Sequence, residues 1–184
     1  MAALTPLGIA ILGLLIERPM HPYEMFQTFI TRSEDRIVKV RPGSLYHAVE
    51  RLERDGLVRA TGTAREGNRP ERTTYEITDA GHDRMLERLT EMLGEWRYEF
   101  PEFPLAVAEA HNLPRETVIK LLQKRVLEMR GDADLVSRSV DQLEDRQLER
   151  KYWLEASYMR AVIDAEIAWV EGLIVELQNE SIDW

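Results

Sequence analysis

The chain has 184 residues, of which 44% are hydrophobic and 31% charged, with a formal net charge of −9 at pH 7 and no cysteine. This composition is typical of a helix-rich globular protein with a substantial core. It excludes disulfides and thiolate metal sites. The apolar run from Leu4 to Ile16 is shorter than a membrane span and has no basic leader, so it predicts a core helix. We therefore expect no membrane contact and a cytoplasmic location.

The negative charge lies in the second half of the chain. Residues 1–80 hold 11 Lys and Arg against 11 Asp and Glu, whereas residues 81–184 hold 13 against 22. Between residues 36 and 72, basic residues outnumber acidic ones by 9 to 5. A local surplus matters more to a polyanion than the total charge does. Residues 36–72 are therefore the predicted region of contact with nucleic acid.

Two short helices are predicted before residue 36. Thr5-Pro6 is a typical helix start, and Pro19 ends the first helix because proline disfavours helical backbone in the residue before it. Pro22 begins the second helix. The apolar residues expected to be buried recur at helical spacing: Leu7, Ile11, Leu14, Leu15, Met25, Phe26, Phe29 and Ile30.

A third helix is predicted from Pro42, a residue that suits the first helical position, to Asp55-Gly56, where glycine can close the helix in the left-handed conformation. Leu45, Val49 and Leu52 give it one apolar stripe. The side chains left to point outward are Ser44, Tyr46, His47, Glu50, Arg51 and Arg54.

A two-stranded ribbon is predicted after this helix. Short strands are expected over residues 57–61 and 72–78, and a basic loop over residues 62–71. Helix, strand, basic loop and strand form the layout of a winged helix-turn-helix, which is a DNA-reading module. The predicted fold is therefore mainly α with a small β wing.

Four side chains of the third helix are candidate DNA contacts. Tyr46 either hydrogen-bonds a phosphate or packs against the wing. Ser44 lies near the helix N-terminus, where backbone N–H groups favour an anion. His47 either reads a base edge or is simply solvated. Arg51 either reaches guanine or phosphate or pairs with acidic neighbours on its own helix.

The segments on either side of the third helix add further basic candidates. Lys39 and Arg41 precede it and are expected to contact phosphates. At the tip of the wing, Arg65, Asn68 and Arg69 enter the minor groove, track the DNA backbone, or form a mobile solvated loop without DNA contact. Arg72 contacts DNA or forms a structural salt bridge.

The remainder of the chain is predicted to be helical. A linking helix is expected over residues 79–98, with Met85, Leu89, Met92, Leu93 and Trp96 as its apolar stripe. The proline-rich stretch 100–104 predicts a boundary, which divides the chain into residues 1–98, a DNA-binding domain with its linking helix, and residues 99–184. Further helices are expected over residues 105–110, 114–146 and 149–180.

The second domain is predicted to dimerise. Its two long amphipathic helices would expose much apolar surface in a monomer, and closed two-fold dimers are the commonest assembly. A two-fold dimer also places two recognition helices about one DNA turn apart, as a pseudo-palindromic double-stranded operator requires.

Of the predicted features, a small-molecule site is the one that the sequence constrains least. Trp96, Tyr98, Phe100 and Phe103 are close in sequence and offer rings on which a flat ligand can stack, although helical spacing also suits Trp96 to a core, as it does Trp153 and Trp169. The histidines show no metal-ligand spacing. No catalytic motif or cofactor-binding loop is present in the sequence, so we expect no enzyme activity, metal or cofactor.

Five segments of the first 85 residues form a recognisable set, namely 7–12, 21–25, 42–46, 51–57 and 72–81. Together they resemble the PadR family of transcriptional regulators, and the chain length resembles the subfamily with a long helical C-terminal domain. This resemblance implies a dimeric repressor that a small, often aromatic or cationic effector releases from DNA. The leading hypothesis places the effector pocket between the two domains or protomers. The alternative is a winged helix used only for protein–protein contact.

Overall fold

The computed structural model describes residues 4–64 and 72–184, and the chain splits into two compact units, Met1–Tyr98 and Glu99–Trp184. The fold is mainly helical with one two-stranded antiparallel ribbon, as predicted. The first unit contains α1 (Pro6–Glu17), α2 (Pro22–Thr31), α3 (Pro42–Arg54), β1 (Val58–Ala64), β2 (Arg72–Ile77) and α4 (Asp79–Gly94). The second contains α5 (Glu102–Ala108), α6 (Arg115–Asp145) and α7 (Leu154–Gln178).

The core of the first unit is built by the first three helices. The Thr5 side chain caps α1 by accepting a hydrogen bond from the backbone N–H of Gly8 at 3.2 Å. The His21 ring caps α2 through the N–H of Tyr23 at 3.0 Å. Apolar residues at helical spacing then meet in one closed cluster. The most buried of them include Ile11, Leu12, Met25, Phe29, Leu45 and Leu52.

The junction of α3, β1 and α4 depends on two glycines. Gly56 has φ +74°, a conformation that side chains rarely adopt, and it closes α3. Gly81 lies so near the backbone that an added Cβ would be 2.0 Å from the carbonyl oxygen of Leu57. Between them, the Thr78 hydroxyl donates to the Gly56 carbonyl at 2.8 Å and accepts from the Gly81 N–H at 3.0 Å. This junction fixes α4 against the base of the ribbon.

The ribbon is longer than predicted and is joined by a third segment. Val58 pairs with Ile77, and the register shifts between Ala60 and Gly62, which is a bulge. β1 continues to Ala64 because the shifted strand keeps its partner beyond the bulge. Met20, in the turn between α1 and α2, exchanges two backbone hydrogen bonds of 3.0 Å with Tyr75.

The second unit is an antiparallel helical hairpin of α6 and α7, with α5 packed beside it. Its core contains Val118, Leu122, Val126, Ile167, Val170, Ile174 and Leu177. α6 is one continuous helix that runs through Gly131. α7 begins at Leu154, later than predicted, because residues 150–152 form a 3₁₀ turn. The buried indole of Trp153 donates to the Leu148 carbonyl at 3.1 Å.

Several apolar residues predicted to be buried are exposed within this chain. α4 ends at Gly94, four residues early, and only Met85 of its stripe is buried. Leu93 is 89% exposed and Trp96 84% exposed, because α4 meets the core of its unit only near its start. Met92, Ile30 and Trp169 are also exposed. Among the described residues, no helix is long and apolar enough to cross a membrane.

Candidate nucleic-acid interface

The outer face of α3 is the candidate surface for DNA. Helical geometry places Gly43, His47, Glu50 and Arg54 along one line, and all four are exposed. The opposite line of α3 is buried in the core, so the helix is fixed while its outer face stays open to solvent. A rigid helix with a free face is the geometry that major-groove reading requires.

The start of α3 is capped by its own side chains. The backbone N–H of Arg41 donates to the Ser44 hydroxyl at 3.1 Å, and this hydroxyl donates to the Arg41 carbonyl at 2.9 Å. Ser44 therefore serves the helix start in this structure. The side chains of Lys39 and Arg41 are exposed immediately before the helix, as a phosphate contact needs.

Tyr46 packs against the start of α2. Its ring meets that of His21 edge-on, with centroids 6.2 Å apart. Tyr46 is nevertheless 41% exposed, so it remains accessible from outside the domain. His47 is 3.5 Å from the Glu50 carboxylate through Nδ1, which holds the ring on the outer face.

Arg51 lies on the flank of α3 and not at the centre of its outer face. Its guanidinium is half-buried, and Nη2 donates to the Thr5 hydroxyl at 2.9 Å. This hydrogen bond joins α3 to the N-cap residue of α1. Arg51 and Thr5 are 46 positions apart in the sequence. Arg51 therefore has a structural partner that sequence reasoning did not anticipate.

Arg54 is a basic residue that the predicted site left out. It is exposed and lies seven positions after His47, which puts both on the same side of the helix. That spacing is readable in the sequence and was the signal available. Lys39, Arg41 and Arg54 are three exposed basic side chains against the single exposed carboxylate of Glu50 on this line of α3.

Glu53 is turned towards the ribbon and away from this surface. The pKa of Tyr75 is raised, first by burial of its hydroxyl and then by the charge of Glu53 and the hydrogen bond to it. The Tyr75 hydroxyl, on β2, thus meets the Glu53 carboxylate, on α3.

Only the lower part of the wing is described. Arg65, Asn68 and Arg69 lie outside the described residues, as does the side chain of Arg72, whose backbone begins β2. On the strands themselves, Arg59 and Glu76 are paired across the ribbon at 2.6 Å. The predicted contacts at the wing tip stay predictions.

The four aromatic residues of the predicted effector site fall in different units. Trp96 and Tyr98 belong to the first unit and meet edge-to-face with centroids 6.0 Å apart. Phe100 and Phe103 belong to the second, where Phe100 is exposed and Phe103 meets the ring of Trp169 edge-on at 6.3 Å. Trp169, expected only as a core residue, is therefore the ring that Phe103 contacts.

The first unit has the architecture of a winged helix-turn-helix domain. Residues 11–87 match the family model described as the transcriptional regulator PadR-like family. No curated protein sequence matches the chain. This match covers most of the first unit, and it is to the family that the sequence motifs indicated.

Solved structures show that the whole chain shares a known fold. Bacillus subtilis PadR in complex with operator DNA has a TM-score of 0.79 and 18% identity, covering 93% of this chain and 97% of that one. The same protein with p-coumaric acid has a TM-score of 0.76 and 16% identity, with coverage of 94% and 98%. The PadR-like regulator BC1756 from Bacillus cereus has a TM-score of 0.67 and 16% identity, with coverage of 95% and 99%.

Proposed function

We propose that this protein is a dimeric, sequence-specific DNA-binding transcriptional regulator, a repressor that a small molecule releases from its operator. The observation that carries the proposal is the open outer face of α3, where exposed Arg54 lies two turns after His47, together with exposed Lys39 and Arg41 immediately before the helix. The similarity to a protein solved with operator DNA supports this reading. Action on promoter DNA in the cytoplasm belongs to the same proposal.

Dimerisation through the second unit is supported by its exposed apolar side chains. Tyr158 and Val162 follow each other at one-turn spacing on an exposed side of α7. Leu127 and Leu135 are exposed on α6. Apolar surface of this extent marks an interaction surface in a soluble protein, and a second copy is the simplest cover.

Release by an effector is supported by the similarity to a protein solved with p-coumaric acid. The second unit offers aromatic rings at its surface, of which Trp169 and Phe103 already meet each other. A ligand changes the affinity for DNA only if it binds the free and bound forms of the protein differently. The proposed release is therefore tested by comparing DNA-binding titrations with and without p-coumaric acid.

The test is binding of the full chain to its own promoter region, measured by fluorescence anisotropy over a series of salt concentrations. We expect preference for that DNA over a scrambled duplex, and we expect Arg54→Ala to reduce the slope of log affinity against log salt by about one, because one phosphate contact is lost. Arg138→Ala, an exposed arginine of α6, is the matched control and should leave the slope unchanged.

Two outcomes would reject this proposal. Equal affinity for promoter and scrambled DNA at all salt concentrations would leave the winged helix as a protein-interaction module. An unchanged slope for Arg54→Ala, together with unchanged slopes for Lys39→Ala and Arg41→Ala, would remove the face of α3 from the DNA contact.

A further inference from the structure

The outer line of α3 carries one carboxylate among its basic neighbours. Glu50 lies on this line between His47 and Arg54, about one turn from each, and its side chain is 68% exposed. A negative charge on a DNA-binding face repels phosphates and lowers the affinity for every sequence. Glu50 is therefore unfavourable on this face unless it forms a contact that compensates for the repulsion.

Contacts within the protein do not account for Glu50. Its Oε2 is 3.5 Å from His47 Nδ1, which is the upper limit for a hydrogen bond, and both side chains are exposed. An exposed pair of this kind adds little to stability. Glu53, three positions later, instead meets the Tyr75 hydroxyl of the ribbon. The fold thus uses Glu53, whereas Glu50 is open to a partner from outside.

The chemistry of a carboxylate restricts what Glu50 can contact in the major groove. It accepts hydrogen bonds and cannot donate them, so the groove offers it two groups, the N4 amino group of cytosine and the N6 amino group of adenine. Adenine presents its amino group beside the N7 acceptor, a pair of atoms that suits an amide side chain. Cytosine presents the amino donor alone. Cytosine is therefore the base that a carboxylate fits best.

We propose that Glu50 is a specificity-determining residue that accepts a hydrogen bond from the N4 amino group of a cytosine in the operator. Arg54 and the basic residues before the helix attract any DNA, whereas Glu50 opposes DNA that lacks this cytosine. Discrimination between partners commonly combines such a repulsive element with an attractive one. The inference rests on the proposed function, because it requires α3 in the major groove.

The test begins with the selection of binding sites from a library of random duplexes by the full chain. We expect the sites to contain a cytosine at one fixed position of each half-site, and we expect Glu50→Ala to lose that preference while the other positions keep theirs. Glu128→Ala is the matched control, because Glu128, on α6, is also 68% exposed. It should select the same sites as the wild type. Since Glu50 is exposed, Glu50→Ala should unfold at the wild-type temperature.

Affinities separate the two effects of the carboxylate. Glu50→Ala should bind a scrambled duplex at least about threefold more tightly than the wild type does, because the repulsion is removed. Its preference for the selected site over that duplex should fall at least about tenfold. Glu50→Gln should admit adenine at the cytosine position, since an amide both donates and accepts.

A modified base locates the contact on the amino group. N4-methylcytosine still pairs with guanine but offers no free amino N–H in the groove. It should weaken wild-type binding to the selected site at least about tenfold and Glu50→Ala binding less than about threefold. An equal effect on both proteins would overturn the proposal, and so would loss of preference at a base other than cytosine.

The selection also distinguishes this inference from the proposed function. A wild type that selects a sequence, with the same preferences in Glu50→Ala, would reject the role of Glu50 and leave the regulator intact. A wild type that selects no sequence would reject the proposed function and this inference with it.

Discussion

The two units of this protein differ in how completely each one buries its own apolar residues. Of the eleven largest fully buried side chains among the described residues, nine lie in the first unit and only Val170 and Leu177 in the second. The first unit closes its core with three short helices and a ribbon. The second has two long helices whose outer sides expose Leu127, Tyr158 and Val162. The proposed DNA recognition therefore falls on the self-sufficient unit and the proposed assembly on the incomplete one.

The units also differ in charge. Residues 1–98 hold 14 basic and 15 acidic side chains, a balance of −1, whereas residues 99–184 hold 10 and 18, a balance of −8. In the second unit, ion pairs such as Arg125–Glu166 and Arg115–Glu180 connect different segments. Partly exposed pairs of this kind contribute roughly 0–1 kcal/mol each. They define how the helices align but do not replace a core.

The self-sufficiency of the first unit depends most on the contact at Gly81. Gly81→Ala should lower the free energy of unfolding by about 3 kcal/mol, because the new Cβ would collide with the Leu57 carbonyl. Gly13→Ala, where an added Cβ meets nothing within 4 Å, is the control and should be neutral or stabilising. Denaturant unfolding of the full chain measures both. Equal effects of the two substitutions would contradict the account of the α3–α4 junction.

The incompleteness of the second unit predicts an effect on assembly. Val162→Asp should weaken the dimer at least about tenfold, or about 1.4 kcal/mol, because it puts a charge into the apolar stripe of α7. Sedimentation velocity over a range of concentrations measures the change. Ala168→Asp adds the same charge at an exposed position elsewhere around α7 and should leave the dimer intact. A wild-type chain that sediments as a monomer at all concentrations would reject the idea that the second unit needs a second copy to cover its apolar surface.

The two arginines of α3 sharpen the distinction between scaffold and contact. Arg51→Ala should cost about 1 kcal/mol of stability, the usual value of one hydrogen bond, because the link to Thr5 is lost. Its slope of log DNA affinity against log salt should equal that of the wild type. Arg54→Ala should show the opposite pattern, with unchanged stability and a smaller slope. If Arg51→Ala reduces the slope instead, Arg51 contacts phosphate and its bond to Thr5 is secondary.

The smallest expected effect concerns the ion pair between α1 and the end of α2. Arg32 donates two hydrogen bonds to Glu17, at 2.5 and 2.7 Å, and this bonding holds the pKa of Glu17 below its ordinary value. Because the folded pKa is the lower one, the pair stabilises the protein at neutral pH, and this contribution is lost as pH falls through the folded pKa. Solvent screening limits it to roughly 0.5 kcal/mol.

Thermal unfolding of Glu17→Gln and wild type from pH 7 to pH 3 checks this pair. The wild type should be slightly more stable at pH 7, and the difference should vanish at the acid end. Asp35→Asn, an exposed carboxylate of the 3₁₀ turn after α2, is the matched control. A difference that grows as the pH falls would contradict the direction of the pKa shift.

Much of the first unit was readable from the sequence, because its boundaries are set locally. Thr5-Pro6, Pro42 and Gly56 begin or end their helices where predicted. The apolar stripe of α3 is buried as its spacing indicated. The predicted burial of the apolar stripe of α4 was wrong beyond Met85. Helical spacing shows which residues share one side of a helix, but it does not show whether another segment covers that side.

The candidate site likewise has features that the sequence predicted and features that depend on long-range contacts. Exposure of Lys39, Arg41 and Tyr46 follows from their positions around the start of α3, and Arg54 was available from the same spacing. The bond of Arg51 to Thr5 and the contact of Phe103 with Trp169 join residues far apart in sequence. Helical or strand periodicity in the sequence cannot predict contacts between residues so far apart.

The sequence alone determined the mainly helical fold, the helix starts and the basic surplus around α3, since caps, prolines and charge act within a few residues. The tertiary structure decided that Met20 joins the ribbon at Tyr75, that α4 leaves its last apolar residues exposed, and that a cleft opens beside Trp169. These features depend on how much surface one segment offers another after folding. That quantity is set by the packing of the whole unit and by no local stretch of the chain.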